Sequence, residues 1–397
     1  MRLSPRLHGI VTLLAVLATF GCTTAMVTRP GPEYIIAGND EKVRWDDTGK
    51  LVVRAPGKDT VSIIDISNRE APRIVVNLPL MNSIVGPPTN LAITPDEKLA
   101  LVANSLTYAQ DGGVWKPAPD TKLYVIDLTA NPPAHIATVE VGKQPSGLAI
   151  NRAGDLALVT NRADNSISVL SIRGKEVTLV DTVAIGEMVA AVAFTPDGKR
   201  AFAVKFPGHK VAMLDVSGQK VTYTKYDMPV GLWPYNIDVT PDGKLALTAD
   251  NGNSGASDGH VDTVSVIDLE ANPPRVIDRV VVGDAPEGFA ISPRGDIAVA
   301  LLLNGSAAVP KDAWYANKHS RAIVLKIDGK KVTKVGDVEV GTFAEGLAFS
   351  ADGRYLYVGN YVDNDISILR VDGTTVTNTG KTLKLPGAPA SMRGRTR

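Results

Sequence analysis

Three glutamates stand at one equivalent place in a repeating sequence. Glu41, Glu287 and Glu345 each lie two residues ahead of a short apolar stretch that runs into a tight-turn signature. Thr89, Ser146, Ala190 and Tyr235 fill that place in the other copies. Carboxylates gathered in a ring repel and raise one another's pKa unless a cation sits among them. They could hold a divalent cation or an amine, or act as general acid and base with Glu287 and Glu345 as the pair. Neutralisation by Lys42, Lys205 or solvent is the purely structural alternative. A second ring, Asn104, Asn161, Lys205, Asp250 and Asn360, closes a later strand of each copy. Its amides and carboxyl could hydrogen-bond a ligand or simply tie neighbouring strands together.

The elements that must position these residues are read from the repeat itself. The signature recurs as DDTGK (46–50), TPDEK (94–98), NRAGD (151–155), TPDGK (195–199 and 240–244), SPRGD (292–296) and SADGR (350–354). Asp-Gly steps supply the positive dihedrals a tight hairpin needs. A small apolar strand precedes each turn, with first residues at Val43, Leu91, Leu148, Val192, Ile237, Phe289 and Leu347. A second strand such as LALVAN (99–104) or YLYVGN (355–360) follows, then a third such as TVSVIDL (263–269), then a fourth ending in an apolar-Gly step. Strand-period alternation rich in Val and Ile fills every copy. Seven such units predict an all-β, seven-bladed β-propeller of four-stranded antiparallel blades over residues 42–391. Residues 22–41 read as a linker in which Tyr34-Ile35-Ile36 could add an edge strand. Residues 392–397 read as a basic tail with Arg393, Arg395 and Arg397.

Propeller topology puts the connections from strand 2 to 3 and from strand 4 to the next blade on one face. Three long 2-to-3 insertions therefore share that face: Ser105–Asp120, Asn251–Asp262 and Asn304–Arg321. They carry Tyr108, Trp115, His260, Trp314, Tyr315 and His319, and Trp233 and Tyr235 join them from a 4-to-1 connection. Rings of this kind pin long loops by packing, but their shared face argues for ligand binding there. The oxygen-rich stretch 250–262 departs from a calcium-loop pattern at Gly252 and reads as a flexible polar loop.

The second strands LALVAN, LALVTN and YLYVGN, each preceded by a PDGK-like turn, resemble the YVTN repeat of YncE-like bacterial envelope propellers. The resemblance covers residues 42–391 and implies the propeller architecture. It is open on function, because that family mixes binding proteins with relatives of lactonases. Lactonase-type propellers are expected to carry Arg or His in the step entering an inner strand. Here those steps read PSG, WPYN, APEG and FAEG. The reading therefore favours a non-catalytic envelope propeller that takes a small molecule, glycan or protein partner on the insertion-bearing face. Lactonase-like or other hydrolytic chemistry at the channel mouth is the alternative, and nucleic-acid binding through the basic tail a second.

Composition narrows the field. With 42 basic and 42 acidic residues, nothing in the bulk charge drives nucleic-acid binding. One cysteine excludes a disulfide scaffold and a thiolate metal cage. No cofactor is expected beyond a candidate divalent cation at the glutamates, and the chain reads as a monomer. Arg2 and Arg6 precede an apolar run, 10–20, that suits a signal peptide over residues 1–21. Gly21-Cys22 resembles a lipidation site, which implies a periplasmic protein anchored by lipid to the outer membrane. Cleavage near Thr23–Ala25 without lipidation is the other outcome.

Overall fold

The computed structural model describes Met1 and residues 31–397; the expected signal peptide beyond Met1 and the expected lipidation site Cys22 lie outside the described residues. Seven four-stranded antiparallel sheets are the blades of a β-propeller, and two further two-stranded hairpins are appended to it. No helix occurs among the described residues. The inner strands of blades 2 to 7 are Leu91–Ile93, Pro145–Ile150, Val189–Phe194, Pro234–Val239, Pro286–Ile291 and Ala344–Phe349. In blades 3 to 7 the four strands of each sheet follow in chain order from inside to outside.

The blade turns are chemically alike. In TPDGK at 195–199, Thr195 Oγ1 donates to Asp197 Oδ1 at 2.6 Å and accepts from Arg200 N at 3.1 Å. Gly198 takes φ +67, the left-handed conformation that glycine enters without steric cost. The same bonds recur at Thr94, Thr240 and Ser350. Between blades the cores are apolar and closed; Phe202, Phe289 and Tyr357 are fully buried. Inner strands approach so closely that a Cβ on Gly288 would lie 2.0 Å from Glu345 O, and one on Gly346 2.3 Å from Met392 N. That is why the strands nearest the axis are rich in Gly and Ala.

Blade 1 departs from the expected register. Its inner strand is Ala388–Arg393, which pairs with Tyr34–Asp40, followed outward by Thr60–Asp65 and Arg73–Leu78. Tyr34–Asp40 is thus the second strand of the blade rather than an added edge, and Ala388–Arg393 is structural rather than a free tail. The ring closes by joining the two ends of the described chain in one sheet, which pairs the inner edge of Tyr34–Asp40. Val43–Trp45 and Leu51–Val53 form a separate hairpin with DDTGK at its tip. Asp46 accepts there from Thr48 N at 2.9 Å and Lys50 N at 3.1 Å, and Gly49 takes φ +76. Its local chemistry is that of a blade turn, so the motif alone does not distinguish the two.

A candidate site at the axial end of the insertion face

The residue that ends each second strand turns along its own blade. Asn161 Nδ2 donates to Ser166 Oγ and Ser168 Oγ at 3.0 and 2.9 Å. Asn360 Nδ2 does the same to Asp365 Oδ1 and Ser367 Oγ, both at 2.8 Å. Asp250 accepts from Thr248, Thr263 and Ser265, and burial pushes its carboxyl up to about 6. Asn104 Nδ2 donates to Asp120 Oδ2 at 2.5 Å. These groups spend their hydrogen bonds within the blade.

The residue one position later reaches the axial wall. Ser105 Oγ lies 3.1 Å from Ser146 Oγ of the next blade. Phe206 packs 5.1 Å from the Tyr235 ring. Asn251 Nδ2 donates to Glu287 Oε1 at 3.0 Å. Arg162 takes the same place in blade 3, only 9% exposed, its guanidinium 5.6 Å from the Phe206 ring centre. It stands beside the Tyr235 side chain and approaches Met188 Sδ at 3.8 Å, yet its Nε and Nη1 have no partner. Arg162 was not singled out by the sequence reading. Its signal was the period-2 step past Asn161, which moves a side chain from the blade to the axis.

Glu287 and Glu345 come together beside it, 4% and 2% exposed. Burial raises both carboxyls, and Arg162 is the cation that pulls Glu287 back down. Each carboxyl acts on the other, Glu345 further raised and Glu287 drawn down, while burial still leaves Glu287 at about 8. Thr89 Oγ1 and Glu345 Oε2, both buried, have no hydrogen-bond partner. Glu41 does not join the pair. It accepts from Ala388 N at 3.0 Å and pairs with Arg44 at 3.2 Å, because its segment belongs to the hairpin connection and not to an inner strand. The expected three-glutamate ring is therefore a pair, and among the described residues no group of three His, Cys, Asp or Glu side chains is placed to hold a metal ion.

A lid of aromatic side chains covers this end. Trp45 packs 4.5 Å from Phe343 and 5.6 Å from Tyr361, whose hydroxyl donates to Val43 O at 2.8 Å. Tyr108, Ile84 and the half-buried Trp115 complete the cluster. Trp45 thus joins the three tryptophans expected on this face. Lys42, fully buried, anchors the hairpin by pairing with Asp40 at 3.1 Å, with Asp59 and with Asn82 O. Trp233 packs on Phe206 and His209 at 5.0 and 5.1 Å, beside the axial wall. Trp314, 79% exposed, Tyr315 and His319 stand on the outer rim, away from the pair; the Trp314 ring lies against Gly259 and that of Tyr315.

Solved structures share this architecture. A protein of unknown function from Desulfotomaculum acetoxidans aligns with a TM-score of 0.67 at 14% identity, over 92% of this chain and 99% of its own. A candidate 6-phosphogluconolactonase from Bacteroides fragilis aligns at 0.67 and 18%, over 92% and 98%. The periplasmic gluconolactonase of Pseudomonas aeruginosa aligns at 0.63 and 17%, over 91% and 98%. No protein-family model matches the chain, and no curated protein sequence matches it. At these identities the likeness is one of fold: the chain is a seven-bladed β-propeller whose structural neighbours include lactonase-type propellers.

Proposed function

We propose that the axial end of the insertion face binds a small, oxygen-rich molecule, with a carbonyl or carboxyl oxygen against Arg162 and hydroxyl groups against Glu287 and Glu345. The observation that carries this is Arg162: a buried guanidinium with two unpartnered nitrogens beside a pair of buried carboxyls. A buried charge with unmet donors costs several kcal/mol (about 1–3 kcal/mol for each orphaned group), and an oxyanion or carbonyl ligand removes that cost. The aromatic lid must open to admit it, and the insertions supply the movable parts. In this reading the protein is an exported envelope binder, the 10–20 apolar run serving as its address.

Lactone hydrolysis is the second reading, favoured by the carboxyl pair. Burial raises Glu287 to about 8, so at mildly alkaline pH its ionised form would take a proton from water as it adds to the ring carbonyl. Arg162 would hold the resulting oxyanion, and Glu345 would give its proton to the departing ring oxygen, yielding the hydroxy acid. Calorimetric titration with aldonolactones, aldonic acids and neutral sugars tests both. Binding without turnover that disappears in Arg162→Met supports recognition; turnover lost in Glu287→Gln supports hydrolysis. Unchanged binding in Arg162→Met, with the fold intact by circular dichroism, removes the axial site from both readings.

A further inference from the structure

The channel has a second mouth on the turn-bearing face, and it is basic. Beyond Arg393 the chain crosses this opening: Arg395 bridges to Ile93, and Thr396 N donates to Ile93 O at 2.9 Å. A cavity of about 360 Å3 lies there, with Arg152, Arg393, Arg395 and Arg397 in its lining and Asp238 in its wall. The guanidiniums are bonded mainly to backbone. Arg393 donates to Phe289 O at 3.4 Å, and Arg397 to Phe349 O and Ser350 O at 3.2 and 3.4 Å. Arg395 meets Glu97 only at 3.8 Å. Asp238 spends its oxygens on Val239 N and Ile291 N, both at 2.9 Å, and makes no ion pair within 4.0 Å among the described residues. Burial raises the Asp238 carboxyl and lowers the Arg393 guanidinium, each partly offset by the other.

Four guanidiniums thus share one recess with a single carboxyl in its wall, and their forks keep donors that the backbone carbonyls do not use. Planar guanidinium forks match carboxylate and phosphate oxygens two at a time. The volume is in the range of small-ligand sites, well beyond a single water. We propose that this mouth is a second binding site, for a small molecule carrying two or more oxyanion groups. The reading is independent of the axial site, because Arg162, Glu287 and Glu345 are not among the residues lining this cavity.

Thermal-shift and calorimetric titration of the whole protein with pyrophosphate, citrate and glucose tests it. Pyrophosphate or citrate should stabilise in proportion to the logarithm of concentration, and glucose should not. The double variant Arg152→Ala/Arg397→Ala, at two exposed positions, should weaken the anion tenfold or more, and Arg162→Met should leave its affinity unchanged. Arg393→Lys keeps the charge but not the fork, and should retain weakened binding. Equal stabilisation by chloride at matched ionic strength, or undiminished affinity in the double variant, overturns the proposal. Tighter binding of a single-stranded oligonucleotide than of pyrophosphate at the same salt overturns it in favour of a nucleic-acid site.

Discussion

Replacing Glu345 by glutamine should remove one proton from the folding equilibrium. In the folded protein the Glu345 carboxyl is raised well above the ordinary 4.5 by burial and by the neighbouring Glu287, so it keeps its proton. In the unfolded chain both carboxyls ionise near that ordinary value. A raised folded pKa gives stability that is complete below the unfolded pKa and is lost as pH rises through the folded one. One proton taken up on folding corresponds to about 1.4 kcal/mol per pH unit, or about 2.7 kcal/mol between roughly pH 5.5 and 7.5. A glutamine amide never titrates, so the variant should lose the Glu345 share of the slope, while Glu287, raised by burial to about 8, keeps its own. Asp250 and Asp262, raised by burial to about 6 and about 7, add slope of the same sign to both proteins and cancel in the difference. The assay is urea unfolding of both proteins across that pH range. Wild type should be more stable relative to the variant at the acid end, the advantage shrinking by about 2–3 kcal/mol toward the alkaline end. Parallel pH profiles would refute the raised Glu345 carboxyl and, with it, the acid–base assignment of the pair.

Two further outcomes follow from packing. Lys42→Met strands Asp40 and Asp59 without their buried cation and should cost about 3–5 kcal/mol in urea unfolding, the lid hairpin loosening first by hydrogen exchange. Gly288→Ala forces a Cβ against Glu345 O and should cost about 1–3 kcal/mol while also weakening axial ligand binding, since it displaces the neighbouring strand that carries the carboxyl.

The blades were legible because each repeats one local solution: an alternating apolar strand, a Thr-Pro-Asp-Gly turn, another strand. Such information lies within a few residues and needs no knowledge of the rest of the chain. Blade 1 was misplaced for the same reason. DDTGK carries the bonds of a blade turn, and only pairing across the whole length of the chain shows that Ala388–Arg393, not Val43–Trp45, is the inner strand. The site was half legible. Glu287 and Glu345 were found because inner strands align in sequence, and Glu41 was drawn in with them by the misplaced register. Arg162 was missed because its chemistry comes from the step after Asn161, and a single residue of offset separates a tie within the blade from a group on the axis. Of the tryptophans, Trp314 stands exposed, whereas Trp45, which the sequence reading did not single out, packs on Phe343 and Tyr361.

The strand that closes blade 1 has a bearing on how the molecule comes into being. Tyr34–Asp40 leads the order of strands and Ala388–Arg393 completes it, so the first strand made waits for the last one before its inner edge is paired. Contacts of such sequence separation are costly to form early, and an unpaired edge is open to other chains meanwhile. Assembly should therefore proceed from the middle blades, whose strands are neighbours in sequence, toward a final docking of the two ends. Arg393, Arg395 and Arg397 ride on that last segment. The basic mouth comes into existence only when the ring is complete, so an anion that binds there favours the closed propeller over every open one.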